Sequence, residues 1–409
     1  MIELAALTAH PNRLAEHYSR FRVTDRLLLT GHSHQAWPDR AEQGHQQAFD
    51  DAADLVDGKW ERAFQMADRV RRAFARRLGD PDGLFSLSAN THDLIVRFLS
   101  ALDLRHRPKL VTTDGEFHSL DRQLRRLAEE GIEVVRVSSR PAADVGQRLA
   151  GAVDDRTAAV LTSTVFFESG QIAGPLDGLV ARCRLVGAQL LLDVYHQLNV
   201  VPASIEGMGD VFIVGGGYKY CQIGEGNCFL RYPRDCRMRP VVTGWFAAFG
   251  DLADVDRTRP VGYSDDDWRF AGATYDPTSH YRAAAVFEFF DEMGLDCMFL
   301  RELSQHQVGL LCRLFDELDL DPAVIDRDRS VPVAGLGGFL ALHTPHAAEI
   351  QRGLDERGVT TDFRHDVLRL GPAPYLSDRQ LEEAVSLLGD VVRGLGASSV
   401  DSTTGSRRR

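Results

Sequence analysis

The chain has 409 residues, of which 44% are apolar and 26% are charged, and its formal net charge is −12. This length fits two or three domains with a large buried core, and the composition excludes a disordered or collagen-like chain. The acidic balance argues against a nucleic-acid binder, which needs a basic surface. No run of about 18 apolar residues occurs, so we expect no membrane-spanning helix.

The six cysteines are scattered and form no C-x-x-C pair. This spacing predicts reduced thiols and a cytoplasmic protein. The N-terminal residues have no basic start that leads into a long apolar stretch, so we expect no signal peptide.

Short apolar runs alternate with helical patterns through the first two thirds of the chain. Strands are predicted at 109–114, 133–138, 158–167, 189–193 and 210–216, and helices at 119–131 and 175–188. The run AAVLTSTVFF at 158–167 is almost continuously apolar, which is typical of a strand covered on both faces. Strand, helix and strand at this spacing predict an α/β fold with a mostly parallel sheet.

The pattern changes after about residue 275. Long amphipathic helices are predicted at 281–294 and 301–318, and a helix at 347–358 and a strand at 367–371 follow. We therefore predict four parts: an N-terminal arm at 1–50, a large α/β domain at 51–280, a smaller C-terminal α/β domain at 281–395, and a disordered polar tail at 396–409.

Candidate site residues stand where the predicted strands end, because ligands of open parallel sheets bind beyond the carboxyl ends of strands. These candidates are Asn90, Thr91, Phe117, Ser163, Asp193, His196, Tyr218 and Lys219. Asn90 and Thr91 open a predicted helix, whose first amides suit a phosphate group. Lys219 follows the glycine run at 215–217, which lacks the residue order of a P-loop.

This set predicts pyridoxal phosphate as the cofactor. Its aldehyde needs a lysine for a Schiff base, and its ring nitrogen needs an acidic partner. Lys219 and Asp193 supply these two groups, and burial together with nearby positive charge would lower the pKa of the lysine. Each residue alone also fits an ordinary structural role, such as a helix cap for Asp193. Their order and their common location at strand ends favour the cofactor.

Four segments carry a family resemblance. They are LLDVYHQLNVVP at 191–202, GGGYKYCQIGEG at 215–226, GWFAAF at 244–249 and GVTTDFRHDVLRLGPAPYL at 358–376. The chain resembles the class V aminotransferase family, which has fold type I of pyridoxal phosphate enzymes, and within that family it is most similar to kynureninase. The resemblance runs from about residue 27 to about residue 390.

The resemblance implies a role for each cofactor residue. Lys219 would carry the Schiff base, Asp193 would pair with the pyridine nitrogen, and His196 would lie beside the ring edge. Phe117 would stack on the ring. The remaining implied cofactor contacts are Asn90, Thr91, Ser163 and Tyr218, and Tyr218 would also move a proton.

The resemblance also implies a homodimer with shared active sites and an amino-acid substrate. Trp245 and Thr274 lie in segments that reach the partner subunit's cofactor in the family. Arg369 would bind the substrate α-carboxylate, a bidentate task that suits a guanidinium. The residues His32, Ser33 and His34 would line the substrate pocket.

Three segments depart from the family pattern. The family's F-P-S-D reads FHSL at 117–120, its G-N-S-L-G reads GHSHQ at 31–35, and its G-T/N-P-P is replaced by GATYDPTSHY at 272–281. Alternation would place His32 and His34 on one face of an extended segment, but no third ligand is apparent, so we expect no metal. The cofactor residues match the family better than the substrate pocket does.

The implied activity is hydrolytic Cβ–Cγ cleavage of kynurenine or a related β-substituted amino acid, giving alanine and an aromatic acid. The alternatives are an aminotransferase, a β-lyase or an epimerase, and a non-catalytic binding protein on the same fold. Cysteine desulfurase chemistry is disfavoured because it needs a thiol shortly before the carboxylate-binding arginine, whereas the last cysteine is Cys312.

Overall fold

The computed structural model describes residues 2–253, 256 and 258–404. The strands are β1 Leu27–Leu28, β2 Leu84–Ser88, β3 Lys109–Thr113, β4 Glu133–Val137, β5 Thr157–Ser163, β6 Gln189–Asp193, β7 Phe212–Gly216, β8 Cys228–Tyr232, β9 Leu340–His343, β10 Val359–Thr360, β11 Asp362–Arg364 and β12 Val367–Leu370. The helices are α1 Leu4–Thr8, α2 Arg40–Leu55, α3 Lys59–Leu78, α4 Thr91–Ser100, α5 His118–Glu129, α6 Val145–Ala152, α7 Asp177–Val186, α8 Thr278–Met293, α9 Cys297–Glu317, α10 Ala347–Asp355 and α11 Asp378–Thr404.

The large sheet has seven strands in the order β2-β8-β7-β6-β5-β3-β4. Strands β7, β6, β5, β3 and β4 are parallel, whereas β8 runs antiparallel to both β7 and β2. This arrangement confirms the predicted α/β class with a mostly parallel sheet. It also brings the carboxyl ends of β3, β5, β6 and β7 to one edge.

Both faces of this sheet are buried, which explains the continuous apolar runs. All seven residues of β5 are buried. Val160 packs into the core on one face, whereas Ala159 and Leu161 pack into a second core on the other. Because successive side chains of a strand point to opposite faces, a strand covered on both sides has apolar residues in a run rather than at alternate positions.

The C-terminal part is built on a three-stranded antiparallel sheet with the order β11-β12-β9. Helix α9 begins at Asp296, whose carboxylate accepts hydrogen bonds from the amides of Met298 and Phe299, both at 2.9 Å. These contacts satisfy amides that have no acceptor within the helix. The expected smaller α/β unit is therefore present after the large sheet.

The N-terminal segment attaches to the C-terminal part. Leu27 of β1 pairs with Val359 of β10, and Asn12 Nδ2 donates to the carbonyl of Pro374 at 2.9 Å. Helix α2 crosses residue 50, where we expected the arm to end, and it packs against α8. The domain boundaries themselves stay predictions.

Two expectations concern the chain as a whole. Within residues 2–253, 256 and 258–404, no helix is both long and apolar enough to cross a membrane. All six cysteines are free thiols. Helix α11 extends to Thr404, and the last five residues of the expected tail at 396–409 lie outside the described residues.

Candidate active site

A cavity of about 470 Å³ opens at the carboxyl edge of the large sheet. Eight predicted residues line it: Asn90, Thr91, Phe117, Ser163, Asp193, His196, Tyr218 and Lys219. The lining also contains residues that the sequence did not single out, and among them are His92, Ser119, Phe167, Tyr195 and Glu225. Parallel strand order brings these segments together, because each follows the carboxyl end of a strand or opens a helix at that edge.

Lys219 is buried at the bottom of this cavity, with 6% of its surface exposed. Its Nζ lies 2.5 Å from His196 Nε2 and 4.9 Å from the ring centroid of Tyr195. Burial lowers the pKa of Lys219, the carboxylate of Asp193 opposes this shift, and the Arg369 cation adds to it. Because a neutral amine is a nucleophile and a protonated one is not, this environment suits a lysine that forms a covalent bond.

The glycine run before Lys219 is required by close packing. A Cβ at Gly216 would clash with the Tyr195 side chain, and one at Gly217 would clash with Ile223. The backbone here approaches its neighbours more closely than any side chain allows. The run is therefore part of the wall that positions Lys219.

Asp193 and His196 come from the end of β6 and the turn that follows it. The Asp193 Oδ1 accepts a hydrogen bond from the Tyr195 amide at 2.8 Å. Burial raises the pKa of Asp193, while that hydrogen bond and the Lys219 cation lower it. Burial, with the Lys219 charge, holds the pKa of His196 well below its usual value. His196 Nδ1 is buried and has no hydrogen-bond partner among the described residues.

The start of α4 lies against the cavity. Asn90 caps this helix, since its side chain accepts a hydrogen bond from the Asp93 amide at 2.9 Å. Asn90, Thr91 and His92 line the cavity, and the first amides of a helix carry partial positive charge toward a bound anion. A phosphate group fits this position.

Phe117 and Tyr218 supply aromatic walls. The Lys219 Nζ lies 5.6 Å from the Phe117 ring centroid and 5.7 Å from that of Tyr218. Phe117 is 37% exposed, which leaves a ring face for stacking. Burial raises the pKa of Tyr218 to about 12, so its hydroxyl keeps its proton at neutral pH.

Arg369 is buried behind the cavity and does not line it. Its Nε donates to Asp362 Oδ1 at 2.9 Å, its Nη2 donates to Asp362 Oδ2 at 2.5 Å, and its Nη1 donates to the Phe167 carbonyl at 2.6 Å. His32 Nε2 lies 2.7 Å from the same Asp362 Oδ1. These contacts use three of the five guanidinium N–H donors, which leaves two for another acceptor.

The segment that carries His32 and His34 is not extended, so the condition for placing them on one face is not met. Residues 31–34 form a turn, with the amides of Ser33 and His34 both donating to the Thr30 carbonyl at 2.8 Å. His32 is completely buried beside Asp362, whereas His34 is exposed and stacks on the Tyr218 ring at 4.9 Å. Ser33 Oγ lies 3.2 Å from His34 Nδ1. The turn reverses the chain, so the alternation rule for extended segments does not hold.

Trp245 and Thr274 lie apart from Lys219 within one chain. Trp245 Nε1 donates to Thr274 Oγ1 at 3.3 Å, and the Trp245 side chain is 44% exposed. Thr274 lines an adjoining cavity of about 590 Å³, which shares Asp93 and Glu225 with the first cavity. One chain alone therefore does not bring these two residues to Lys219.

The cavity residues fit pyridoxal phosphate. Lys219 can bind its aldehyde, Asp193 can pair with its ring nitrogen, and the start of α4 can hold its phosphate.

Comparison with known proteins gives consistent results. Residues 328–388 match the family model described as the kynureninase C-terminal domain. The chain is 24% identical to the kynureninase of Geobacillus thermodenitrificans over 348 residues, 81% of this chain and 79% of that one. It is 24% identical to the kynureninase of Deinococcus radiodurans, over 75% of this chain and 72% of that one. A probable cysteine desulfurase 2 of Mycobacterium leprae is 25% identical over 52% of this chain and 49% of that one.

Solved structures share the fold at low sequence identity. The cystine C–S lyase C-DES, in complex with its product cysteine persulfide, superimposes with a TM-score of 0.77 at 16% identity, covering 90% of this chain and 98% of that one. The apo cysteine desulfurase of Thermococcus onnurineus NA1 superimposes with a TM-score of 0.76 at 14% identity, covering 94% and 98%. The predicted fold type is therefore confirmed.

Proposed function

We propose that this chain, which is a kynureninase-like member of the class V aminotransferase family of pyridoxal phosphate enzymes, hydrolyses kynurenine or a related β-substituted amino acid. The reaction adds one water across the Cβ–Cγ bond and releases alanine and an aromatic acid. The observation that carries the proposal is the buried Lys219 amine, 2.5 Å from His196 and beside Asp193, in a cavity that opens at the sheet edge.

Lys219 and Asp193 have the central roles in this proposal. When bound, pyridoxal phosphate supplies an electron-withdrawing ring that stabilises negative charge at the substrate α-carbon. Lys219 would hold the aldehyde of the cofactor and, as a free amine, would move the proton at the substrate Cα. The lowered pKa of Lys219 makes the neutral amine available for both tasks. Asp193 holds a proton at the ring nitrogen, while Phe117 covers the ring.

The start of α4 and Tyr218 complete the cofactor site. Asn90 and Thr91 hold the phosphate through the amides of the first helical turn, and Ser163 and His196 contact the ring substituents. Tyr218, whose hydroxyl stays protonated because burial raises its pKa to about 12, would deliver a proton to Cβ when the Cβ–Cγ bond breaks, while the added water supplies the hydroxyl of the released acid.

Arg369 orients the substrate. It binds the α-carboxylate through the two N–H donors that Asp362 and the Phe167 carbonyl leave open. The bidentate pair with Asp362 fixes the plane of the guanidinium before the substrate arrives, and such preorganisation reduces the entropy lost on binding. His32 supports Asp362 from behind, and Ser33 and His34 line the entrance to the substrate pocket.

The active enzyme is a homodimer in this proposal. Trp245 and Thr274 lie away from the Lys219 cavity of their own chain, so they would act in the cavity of the partner. Exposed apolar side chains at Val241, Val242 and Val261, with 82%, 47% and 60% exposure, offer a surface for association near Trp245. The six free cysteines suit a reducing compartment, and we propose a cytoplasmic location.

The second candidate keeps the cofactor and changes the reaction to transamination, elimination or racemisation of another amino acid. It is favoured by the segment at 31–35, which departs from the family pattern and places His34, where the family has leucine, against the Tyr218 ring. Incubation of the purified holoenzyme with kynurenine and with 3-hydroxykynurenine, followed by mass spectrometry, separates the candidates. Alanine released without a keto acid supports hydrolysis, whereas a requirement for a keto-acid acceptor supports transamination. A protein that binds the cofactor but releases nothing from any amino acid would be a non-catalytic binding protein.

A further inference from the structure

Glu116 is a buried carboxyl group directly behind the cavity. It follows β3, immediately before Phe117, and only 5% of its surface is exposed. Three donors converge on its carboxylate. Thr113 Oγ1 donates to Oε1 at 2.6 Å, while Ser163 donates to Oε2 through its hydroxyl at 2.6 Å and through its amide at 3.0 Å. These contacts, which join the ends of β3 and β5, hold the carboxylate in one orientation.

The contact with Glu116 determines what Ser163 offers to the cavity. A serine hydroxyl has one hydrogen and two acceptor lone pairs, and Glu116 takes the hydrogen. Ser163 lines the cavity and is the register partner of Asp193 on the neighbouring parallel strand, so the two side chains lie on the same face of the sheet. The oxygen of Ser163 therefore faces the bound group as an acceptor only.

We propose that Glu116 is a positioning residue, which in its ionised form orients Ser163 as a hydrogen-bond acceptor toward the cofactor and adds a negative charge behind the cofactor site. The inference deepens the proposed function and rests on it. Glu116 does not line the cavity, so it acts through Ser163 and through its charge rather than by direct contact.

The electrostatic environment of Glu116 supports this role. Burial raises the pKa of Glu116 to about 7, although its hydrogen bonds with Ser163 and Thr113 lower it, and the nearby Asp193 carboxylate adds to the rise. Near this pH a protonated Glu116 can donate to Ser163 Oγ, which frees the serine hydrogen to point into the cavity. Whether Ser163 donates or accepts a hydrogen bond toward the cofactor thus depends on the charge of Glu116. The carboxylate neighbouring this pair is that of Asp193.

The test compares the holoenzyme with the variants Glu116→Gln, Ser163→Ala and the double variant. Gln keeps the shape of Glu116, removes its charge and turns an amide donor toward Ser163. We expect each single variant to raise the dissociation constant for pyridoxal phosphate roughly tenfold, and the double variant to raise it no further, because both changes disrupt one hydrogen-bond unit. The visible absorbance of the cofactor bound to Lys219 changes with pH as this linkage gains or loses a proton. We also expect Glu116→Gln to lower the pH midpoint of that change by about half a unit or more, because a buried negative charge is lost.

Asp80→Asn is the matched control. Asp80 is a buried carboxylate at the opposite edge of the same sheet, where it pairs with Arg231, so its loss should lower stability and leave the absorbance midpoint unchanged. The inference would be overturned if the two single variants had additive effects on the dissociation constant for pyridoxal phosphate. It would also be overturned if Glu116→Gln left the pH midpoint of the visible absorbance unchanged. If Glu116→Gln does not fold, Glu116→Asp replaces it in the measurement of pyridoxal phosphate binding. This variant keeps the charge but shortens the reach to Ser163, so we again expect a roughly tenfold higher dissociation constant and no further change in the double variant. A wild-type protein without a Lys219-dependent visible band would refute the proposed function instead, so the two failures are distinguishable.

Discussion

Replacing Asp362 by alanine should destabilise the fold, because this one carboxylate holds two buried groups from distant parts of the chain. Asp362 accepts two hydrogen bonds from Arg369 and one contact from His32 at 2.7 Å. Arg369 is 2% exposed and the Asp362 side chain is 19% exposed. Without the carboxylate, a buried guanidinium loses its counter-charge and cannot lose its proton, since arginine stays charged in proteins.

The magnitude follows from the cost of an uncompensated buried charge. Removing one partner of a buried ion pair typically costs about 3–5 kcal/mol, because the remaining charge is desolvated without compensation. The lost partner of His32 adds a smaller amount, since His32 is held neutral and its unpaired nitrogen costs about 1–3 kcal/mol. The two losses share one site and do not simply add, so we expect a total of about 3–5 kcal/mol.

Equilibrium denaturant unfolding at pH 7 measures this loss of unfolding free energy. Asp210→Ala is the control, because it removes one partner of an exposed pair with Arg184 and should leave the unfolding midpoint nearly unchanged. The double variant Asp362→Leu/Arg369→Met should recover much of the loss, since a buried ion pair can be replaced by apolar side chains at little cost. A loss below about 1 kcal/mol in Asp362→Ala would contradict the claim that Asp362 neutralises Arg369.

Three further predictions concern pH, the substrate and the cofactor. Burial lowers the pKa of His32 to about 4, so between about pH 6.5 and pH 4 the unfolded state binds a proton that the folded state does not bind. The free energy of unfolding should therefore fall by up to about 3 kcal/mol as pH drops from about 6.5 to about 4. Denaturant titrations of His32→Gln should show a weaker dependence of unfolding free energy on pH, and an unchanged dependence would contradict this prediction. Arg369→Lys should raise KM at least tenfold with a smaller change in kcat, because lysine cannot make the bidentate contact; steady-state kinetics that show equal KM values would contradict the assignment. Lys219→Ala should lose both the visible absorbance band and activity, while Lys59→Ala, which changes a half-buried lysine outside the cavity lining, should keep both. An unchanged spectrum in Lys219→Ala would refute the role of this amine.

The parallel part of the fold and the cavity lining could be predicted from sequence. The apolar runs at 109–114, 158–167, 189–193 and 210–216 overlap four strands of the large sheet, because strands buried on both faces leave an unmistakable pattern. Once these strands are parallel, their carboxyl ends must share an edge. Residues that directly follow them, such as Asp193 and Lys219, therefore meet in space without any information on side-chain contacts.

Other features could not be predicted, because they depend on contacts between distant segments. The sequence analysis did not predict β8, the antiparallel strand at Cys228–Tyr232, and no local pattern gives its direction or its place between β2 and β7. The link from His32 to Asp362 joins residues 330 positions apart. No periodicity reports such a pairing, and the single clue was the proximity of Asp362 to Arg369 in one short motif.

Glu116 shows a similar limit. Its position at a strand end was visible in the sequence, but its importance depends on Ser163, which reaches it from another strand 47 residues further along the chain. The turn at 31–34 shows the opposite case, in which a local rule was applied to a segment that is not extended. In each case the tertiary contact, and not the local pattern, determines what the side chain does.

The most direct test of the account is to trap the lysine–cofactor linkage. Purified protein is loaded with pyridoxal phosphate, reduced with borohydride to convert the linkage into a stable secondary amine, digested and analysed by peptide mass spectrometry. We predict that the phosphopyridoxyl group is found on Lys219 in stoichiometric amount, and that Lys109, a buried lysine at the amino end of β3 that pairs with Asp154, is unmodified. The chain has only one other lysine, Lys59. A cofactor adduct on Lys59 or Lys109, with Lys219 recovered unmodified, would contradict the central claim.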